Sequence, residues 1–377
     1  MKILFPIKFF FPSKIGGPSN TMYWHTLMLN DANIETTVIT TDKWITDESY
    51  PVRNKWIHES LSSRYYIGGK LKMIKYILKS IQMIRKHDII HFSSICYPAN
   101  FIIVTISILL RKCVVISPRG ELFDNAIKQH HGFLKRIFFL FYRLLKEKLY
   151  FHATSQEEVN TIKKILKSDK FILKENFIKV EYNEDLSCKT NDIVFLGRIN
   201  EIKNIDKLIF ALSESDGFMS SNGRLLIIGM AAHPSEKEYE NYLKKIIEEK
   251  KLNSRIVFCG VKEGSEKFQL LNKAKVLVLP SKSENFGNVI PEAMSQSTPV
   301  IASTGTPWEI LKANHIGWWV DSSPDSLSNA INEVYELSDF DYKQLCRNSI
   351  SFVREHLDIN SRAAKEWVDI YKQIVKK

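Results

Sequence analysis

Residues 274–292 read AKVLVLPSKSENFGNVIPE, which is an apolar run, a polar turn and the start of a helix. The apolar run ends at a proline, as a buried parallel strand commonly does. Glu284 lies in the polar turn, and Glu292 lies about one helical turn into the helix that follows. The stretch therefore predicts one strand–helix unit of an α/β domain, with a carboxylate on either side of an Asn-Phe-Gly turn.

Short apolar runs of the same kind alternate with helical stretches along the whole chain. Most are rich in β-branched residues and end in Gly, Pro or Ser before a helix, as strands of parallel sheets do. The first half contains KILFPI, ETTVITT, DIIHFS, CVVISP and YFHATS, and the second contains DIVFLG, RLLIIG, RIVFCG, AKVLVLP, TPVIAS and GWWV. Two such series predict two doubly wound parallel-sheet domains of the α/β class.

The chain of 377 residues is long enough for two domains of ordinary size. The polar, acidic stretch 181–192 marks the boundary between them. We predict a first domain at 1–185, a second at 186–355 and a terminal helix at 356–377 that packs back on the first domain. Ligands of open α/β sheets bind beyond the carboxyl ends of the strands, so we expect a site between two facing sheets.

Cysteine usage and hydropathy indicate the compartment. The five cysteines are scattered singly without a CxxC pair, which indicates a reducing environment and no metal cage. A lysine and two prolines interrupt the apolar N-terminus, so we interpret it as a buried strand and not as a signal peptide. The ten-residue, mostly apolar stretch 101–110 is about half the length of a membrane-spanning helix. We expect a soluble, cytoplasmic protein.

Charge is distributed unevenly between the two halves. Residues 1–179 contain 28 Lys and Arg against 14 Asp and Glu, a net of +14, whereas residues 180–377 have a net of −3. The basic half is expected to meet an anionic partner. Anionic lipid, a lipid-linked phosphate and nucleic acid all fit at this level of description.

Several strand ends carry residues suited to a phosphate. Gly16-Gly17 follow the first strand and precede a helix, where paired glycines either let the backbone approach a phosphate or form a plain tight turn. Arg198 and Lys203 follow the strand DIVFLG. They suit a diphosphate, Arg as a planar fork and Lys as a point charge, or they are two solvated surface cations.

The opening stretch adds groups suited to sugars. Glu284 can accept hydrogen bonds from sugar hydroxyls, and Glu292 can accept both hydroxyls of a ribose. The backbone N–H groups of Asn285, Phe286, Gly287 and Asn288 surround a helix start and suit a phosphate or sugar oxygen. The alternative is one loop acid and one acid that caps the positive end of the helix.

Taken together, Gly197-Arg198, Lys203 and the E-x7-E pair resemble the nucleotide-sugar site of retaining glycosyltransferases of family 4 (group 1). The resemblance continues in STPVIASTGTPWEIL at 297–311 and covers most of 190–320. In 1–180 it is looser: DIIHFSS and VVISPRGELFDNAIKQHHGFLKR resemble the acceptor-side strands of a polysaccharide and O-antigen assembly subgroup. The implied fold is GT-B, two facing Rossmann-like domains with the last helix crossing back.

The resemblance also implies roles. Arg198 and Lys203 would neutralise the donor diphosphate, which is the leaving group, and Glu284 would hold the sugar. Glu292 would hold the ribose. The backbone of Gly17 would approach the phosphate, and Gly229 and Val261 would lie near the base.

The implied reaction is hexosyl transfer from a UDP- or GDP-sugar, with no cofactor and no metal. In the mechanism proposed for this family the donor phosphate takes the acceptor's proton. Many relatives have a histidine where this chain has Arg119, so the acceptor-side role falls to Arg119, which can bind an anion, or to His91. The only DxD, at 339–341, is interpreted as a loop.

Two basic amphipathic stretches, 68–86 and 132–150, suit the surface of an anionic membrane, or else they are packing helices whose cations reach solvent. We expect a peripheral protein on the inner face of the cytoplasmic membrane, acting on a polyprenyl-linked saccharide in polysaccharide or lipopolysaccharide assembly. The alternatives are another GT-B enzyme, such as a nucleotide-sugar epimerase, and a basic nucleic-acid-binding protein. Against the second alternative, the chain contains no RNP motif, zinc finger or recognition helix, so we expect no nucleic-acid partner.

Overall fold

The computed structural model describes residues 1–13, 17–45, 52–128, 132–359 and 361–376. These residues form two compact units. Unit 1 comprises residues 1–179 together with 359–377, and unit 2 comprises residues 180–358. The chain leaves unit 1 after Lys179 and returns to it at Ile359, six and three residues from the boundaries expected at 185 and 356.

Unit 1 alternates strands and helices. Its strands are β1 (Lys2–Pro6), β2 (Glu35–Thr41), β3 (Trp56–Glu59), β4 (Ser62–Ile67), β5 (Ile89–Phe92), β6 (Cys113–Ile116), β7 (Tyr150–Ala153) and β8 (Phe171–Leu173). Its helices are α1 (Gly17–Asp31), α2 (Lys72–Ile84), α3 (Pro98–Leu109), α4 (Asp124–Lys128), α5 (Gly132–Leu144), α6 (Gln156–Leu166) and, at the chain end, α15 (Ser361–Val375), with a 3₁₀ turn at Lys146–Lys148.

Unit 2 repeats this alternation. Its strands are β9 (Ile193–Leu196), β10 (Leu225–Ile228), β11 (Ile256–Gly260), β12 (Val276–Leu279), β13 (Val300–Ser303) and β14 (Gly317–Val320). Its helices are α7 (Ile205–Glu214), α8 (Asp216–Ser220), α9 (Pro234–Glu249), α10 (Gly264–Lys273), α11 (Val289–Met294), α12 (Ile310–Ala313), α13 (Pro324–Glu336) and α14 (Asp339–His356), with a 3₁₀ turn at Glu201–Lys203.

Both sheets are doubly wound. Unit 1 has the order β3-β4-β2-β1-β5-β6-β7-β8, in which only the β3–β4 pair is antiparallel. Unit 2 has the order β11-β10-β9-β12-β13-β14 with every pair parallel. In each sheet the first strand is central and the order reverses beside it, which is the Rossmann arrangement with its ligand-binding switch point. The predicted fold class is confirmed.

All eleven predicted apolar runs form strands, because strands covered on both faces by helices need continuous apolar sequence. The strands β3, β4 and β8 were not predicted. β3 and β4 come from WIHE and SSRYYI, where polar residues interrupt the run, and β8 has only three residues. The loop prediction for 339–341 is wrong: these residues form the first turn of α14, where the Asp341 N–H donates to the Ser338 hydroxyl at 3.1 Å.

Helix α15 belongs to the core of unit 1. Its Trp367 and Tyr371 are fully buried and lie in one apolar cluster with Phe5 of β1 and Met28 of α1. Trp367 also meets His25 and His152 edge-on, with ring centres 4.5 and 4.8 Å apart. The chain end is therefore an integral layer of the first unit.

A chain of hydrogen bonds runs through this core, and its direction follows from one carbonyl. The Lys174 carbonyl can only accept, so His152 donates to it through Nε2–H at 2.8 Å. Burial lowers the pKa of His152 to about 3, so the ring is neutral and its Nδ1 accepts from the Ser117 hydroxyl at 2.8 Å. The Ser117 oxygen then accepts from Nε2–H of His91 at 2.8 Å.

The chain continues into α15. Burial, followed by the charges on neighbouring groups, lowers the pKa of His91 well below its ordinary value, so the ring is neutral. Its Nδ1 accepts from the Tyr371 hydroxyl at 2.6 Å. The Tyr371 oxygen in turn accepts from Nε2–H of His25 at 2.8 Å. Each donor has one acceptor, and the chain connects α1, β5, β7 and the terminal helix.

Candidate active site

The predicted donor-side residues of unit 2 lie beyond the carboxyl ends of its strands or on the elements that follow. Because all six strands are parallel, these ends share one edge of the sheet. Gly197 follows β9, Gly229 follows β10, Val261 follows β11, Glu284 follows β12 and Gly305 follows β13. The residues are far apart in sequence, and the topology alone brings their strand ends to a common edge.

Gly229 is required by close packing between two strand ends. A Cβ atom there would lie 1.8 Å from the carbonyl oxygen of Gly197, and the backbone φ is +152°. The Gly197 N–H donates to the carbonyl of Ile228 at 2.9 Å, so the two chains remain paired beyond the strands. Any side chain at Gly229 would push the β9 end out of this edge.

Lys203 and Glu284 form an ion pair at this edge. The Lys203 ammonium contacts Glu284 Oε1, which also accepts from the Ser281 hydroxyl at 2.8 Å. The two side chains are 17% and 15% exposed, so the pair is shielded but reachable from solvent. Glu284 Oε2 has no hydrogen-bond donor among the described residues.

Two hydrogen bonds connect the loops that carry this pair. The Lys282 N–H donates to the carbonyl of Ile202 at 2.7 Å. Asn204, in the left-handed conformation, donates from Nδ2 to the buried carbonyl of Pro280 at 3.0 Å. The 3₁₀ turn after β9 and the loop after β12 thus behave as one rigid piece, which sets the position of Lys203 relative to Glu284.

Arg198 extends into solvent. Its side chain is 58% exposed, and its nearest carboxylate, Glu236, is 3.7 Å away, too far for a hydrogen bond. The other oxygen of Glu236 accepts the N–H groups of Ala232 and His233 at 2.8 and 3.1 Å. The Arg198 guanidinium therefore keeps its donors available for an anion.

A tryptophan side chain supports the Asn285–Asn288 turn. Gly287 has a φ of +79°, which favours glycine. Phe286 is buried, and its carbonyl accepts from Trp308 Nε1 at 2.5 Å. The Glu284 N–H donates to the carbonyl of Gly305 at 2.9 Å. The sequence reasoning missed Trp308 and Gly305 as supports, although both lie in the STPVIASTGTPWEIL segment.

Glu292 is buried within the short helix α11. Its Oε2 is 2.9 Å from the ammonium of Lys267 on α10, and the two side chains are 7% and 15% exposed. Lys267 was not predicted as a site residue, because a single lysine on a polar helix carries no sequence signal. The pair fixes the orientation of the Glu292 carboxylate, with little of it open to solvent.

The remaining predicted residues have less defined surroundings. Val261 follows β11 and is 47% exposed. Gly17 is the first residue of α1 in unit 1, and Gly16 lies outside the described residues. Gly17 therefore lies in a different unit from the rest of the donor-side set.

On the acceptor side, His91 lies in β5 and Arg119 follows β6, both central strands of the unit 1 sheet. His91 is fully buried with both ring nitrogens hydrogen bonded, which favours a structural role over contact with a substrate. Arg119 is partly buried, has a φ of +55°, and donates to Asn176 Oδ1 at 2.5 Å. Burial lowers its pKa to about 10, so it keeps its charge at neutral pH.

No group of three or more His, Cys, Asp or Glu side chains in the described ranges is arranged to hold a metal ion. None of the helices in the same ranges is both long and apolar enough to cross a bilayer.

The chain is similar to known glycosyltransferases. Residues 177–351 match the family described as glycosyl transferases group 1. An uncharacterised glycosyltransferase of Methanocaldococcus jannaschii is 30% identical over 199 residues, which are 52% of this chain and 48% of that protein. The GDP-mannose:cellobiosyl-diphosphopolyprenol alpha-mannosyltransferase of Xanthomonas campestris is 25% identical over 91% of this chain and 90% of its own.

The structural comparison agrees. Sucrose-phosphate synthase from Thermosynechococcus elongatus superposes with a TM-score of 0.75 and 19% identity, covering 99% of each chain. The fold is that of the GT-B glycosyltransferases. Residues 177–351, somewhat under half of the chain, are thus similar in sequence to glycosyltransferase group 1, and the whole chain is similar to these enzymes in fold. The epimerase and nucleic-acid-binding alternatives are not favoured.

Proposed function

We propose that this enzyme transfers a sugar, with retention of the anomeric configuration, from a UDP- or GDP-sugar to a hydroxyl of a polyprenyl-linked saccharide. The process is the assembly of a surface polysaccharide or lipopolysaccharide, by an enzyme of family 4. One observation carries the proposal: the Lys203–Glu284 pair lies at the carboxyl edge of the unit 2 sheet, and its Lys203 follows the same strand, β9, as the exposed Arg198.

The two cations suit the leaving group. As the glycosidic bond breaks, negative charge builds up on the donor diphosphate, and fixed cations that meet this charge lower the barrier. Lys203 is held by the linked loops, whereas Arg198 is free to close on the phosphates. With these two residues neutralising the charge, we propose that no metal is required.

The carboxylates suit the two sugars of the donor. Glu284 Oε1 is occupied by Lys203 and Ser281, which orients Oε2 to accept from a hydroxyl of the transferred sugar. Glu292, held by Lys267, would accept from the ribose. Gly229, Val261 and the Asn285–Asn288 turn would surround the base and the phosphates. A donor phosphate oxygen would take the proton of the acceptor hydroxyl.

The acceptor assignment rests on a relative and on unit 1. The Xanthomonas enzyme is named for a saccharide carried on diphosphopolyprenol. Unit 1 of the present chain carries the positive charge that such an anionic lipid would need. Arg119 would be one contact for an anionic group of the acceptor.

We further propose that unit 1 attaches reversibly to the inner face of the cytoplasmic membrane. Helices α2 and α3 are neighbours, and α3 packs on α5 through the stacked rings of Phe101 and Phe138, 4.4 Å apart. These helices expose apolar side chains beside Arg136 and Arg143. The exposed apolar residues are Leu71, Met73, Ile74, Leu78, Ile102, Leu109, Ile137, Leu140 and Leu144. Each cation near an anionic surface adds about 1 kcal/mol.

The donor half is tested by calorimetric titration of the purified protein with UDP and, separately, GDP, without metal. We expect micromolar binding of one nucleotide and at least about tenfold weaker binding in Arg198→Ala, which is about 1.4 kcal/mol. The matched control is Arg347→Ala, an exposed arginine on α14. Absence of binding by either nucleotide would contradict the proposal.

The role of Glu284 is tested separately. Glu284→Ala should abolish transfer but keep nucleotide binding, since Lys203 loses a competing carboxylate and remains available to the diphosphate. Turnover close to that of the parent protein would overturn the assignment.

A further inference from the structure

Unit 1 has two lysines at the carboxyl edge of its sheet that form no ion pair with the described residues. Lys8 follows the central strand β1, and Lys43 follows its neighbour β2. Their backbones are tied together: the Thr41 hydroxyl donates to the Lys8 carbonyl at 2.7 Å, and the Ser13 hydroxyl donates to the Lys43 carbonyl at 2.9 Å. The two residues thus share the switch-point region, where doubly wound sheets bind ligands.

The Lys8 ammonium is desolvated without a carboxylate partner. It is partly buried and lies 4.8 Å from the ring centre of Phe9 and 5.1 Å from that of Tyr97. Within the described part of the chain, neither Lys8 nor Lys43 has an ion pair within 4.0 Å. Burial and then the charge of Lys43 lower the pKa of Lys8, whereas the charge of Glu121 acts in the opposite direction.

The nearest acid is already satisfied. Glu121 is the carboxylate that acts on Lys8 electrostatically. It accepts from the Ser94 hydroxyl at 2.8 Å and from the N–H groups of Ile95 and Cys96 at 2.6 and 2.9 Å. These bonds hold the Glu121 carboxylate against the loop that follows β5, and it forms no direct ion pair with either lysine.

An exposed apolar strip starts beside these cations. Lys72, the first residue of α2, reaches across to Asp42 after β2, with Nζ and Oδ1 2.5 Å apart. Leu71 precedes it in the left-handed conformation, with φ +59°, and is 68% exposed. Ile74 and Leu78 continue the exposed face along the helix. A strained, solvent-exposed leucine next to a cation cluster suggests a functional constraint.

We propose that Lys8 and Lys43 bind the diphosphate of the lipid-linked acceptor, with the first isoprene units of its chain lying along Leu71 and Ile74. The inference rests on the proposed acceptor class. The two ammonium groups match the two charged phosphates. The adjoining apolar strip matches the hydrocarbon chain that is attached to the diphosphate. The residues are separate from Arg198 and Lys203, which serve the donor.

The test is a binding titration with farnesyl diphosphate, in the presence of saturating donor nucleotide so that the donor site is occupied. Lys8→Gln and Lys43→Gln should each weaken binding about tenfold or more, as expected for loss of a charge-assisted hydrogen bond. Lys8→Arg should retain most of the affinity because the charge remains. Lys86→Gln, an exposed lysine just beyond the far end of α2, is the control and should have no effect.

Two further ligands separate the parts of the site. Farnesol should not bind measurably, and inorganic pyrophosphate should bind more weakly than farnesyl diphosphate. Equal affinity for pyrophosphate and farnesyl diphosphate would overturn the role of the apolar strip. Unchanged affinity for farnesyl diphosphate in both Gln variants, with their folding verified by circular dichroism, would overturn the whole inference.

Failure of the proposed function gives a different pattern. If the enzyme transfers no sugar to any lipid-linked acceptor but the Gln variants still lose farnesyl diphosphate, the lipid-diphosphate site at Lys8 and Lys43 stands and its assignment to the acceptor fails. If transfer occurs and Lys8→Gln leaves the KM for a lipid-diphosphate acceptor unchanged, the reaction stands and the inference fails.

Discussion

Tyr371→Phe removes the hydroxyl that connects α15 to the buried hydrogen-bond chain of unit 1. The hydroxyl donates to His91 at 2.6 Å and accepts from His25 at 2.8 Å, and all three side chains are buried. The substitution changes no apolar contact but leaves one acceptor and one donor without a partner. Each unsatisfied buried group costs about 1–3 kcal/mol, so the expected loss in unfolding free energy is about 2–6 kcal/mol.

Tyr142→Phe is the matched control. Tyr142 is also fully buried in unit 1, but its hydroxyl has no hydrogen-bond partner among the described residues. Its removal leaves no group unsatisfied and relieves an unpaired polar atom, so stability should stay the same or rise. The two variants delete the same atom at the same burial, and only the partners differ.

The assay combines urea unfolding, followed by far-ultraviolet circular dichroism, with hydrogen exchange of peptides from 361–376. Tyr371→Phe should lower the transition midpoint and speed exchange in the terminal helix. Tyr142→Phe should do neither. If both variants shift the midpoint equally, the hydrogen-bond chain does not hold α15 and the reasoning is refuted.

Three other outcomes follow from the structure. The free energy of unfolding should fall on acidification from pH 7 to 5. Burial lowers the pKa of His152 to about 3, from about 6.5 in the unfolded chain, so the unfolded state binds the proton first. The stabilisation present above pH 6.5 is therefore lost towards pH 3, and the loss is about 2 kcal/mol at pH 5. Urea midpoints across pH measure it, and a flat profile would contradict it. Gly229→Ala should abolish nucleotide binding, because its Cβ would lie 1.8 Å from the Gly197 carbonyl. Calorimetric titration measures this, and retained affinity would show that the two strand ends can move apart. Trp308→Phe, which keeps an aromatic ring but leaves the Phe286 carbonyl without its hydrogen bond, should lower kcat about tenfold and the free energy of unfolding by about 1–3 kcal/mol; an unaltered kcat would exclude a positioning role.

The strands of unit 2 were predictable because their sequences are almost continuously apolar, and the four inner strands are buried along their whole length. The same rule missed β3, an antiparallel edge strand with exposed residues, and β4 beside it. Arg198, Lys203 and Glu284 were proposed as site residues because their combination resembles the nucleotide-sugar site of a known family, and all three follow strands of unit 2. Lys267 and Trp308 were not identified as site residues, because each acts through a partner distant in sequence.

The sequence by itself determined the class of fold, the two-unit organisation and the uneven charge, since periodicity and composition are local properties of the chain. It also determined which residues follow strand ends. Only the tertiary structure decided which of these groups are exposed, paired or buried. Arg198 is open to solvent, whereas His91 is enclosed in a hydrogen-bond chain that ends in the terminal helix. Burial and pairing depend on contacts between residues up to hundreds of positions apart, which no local pattern records.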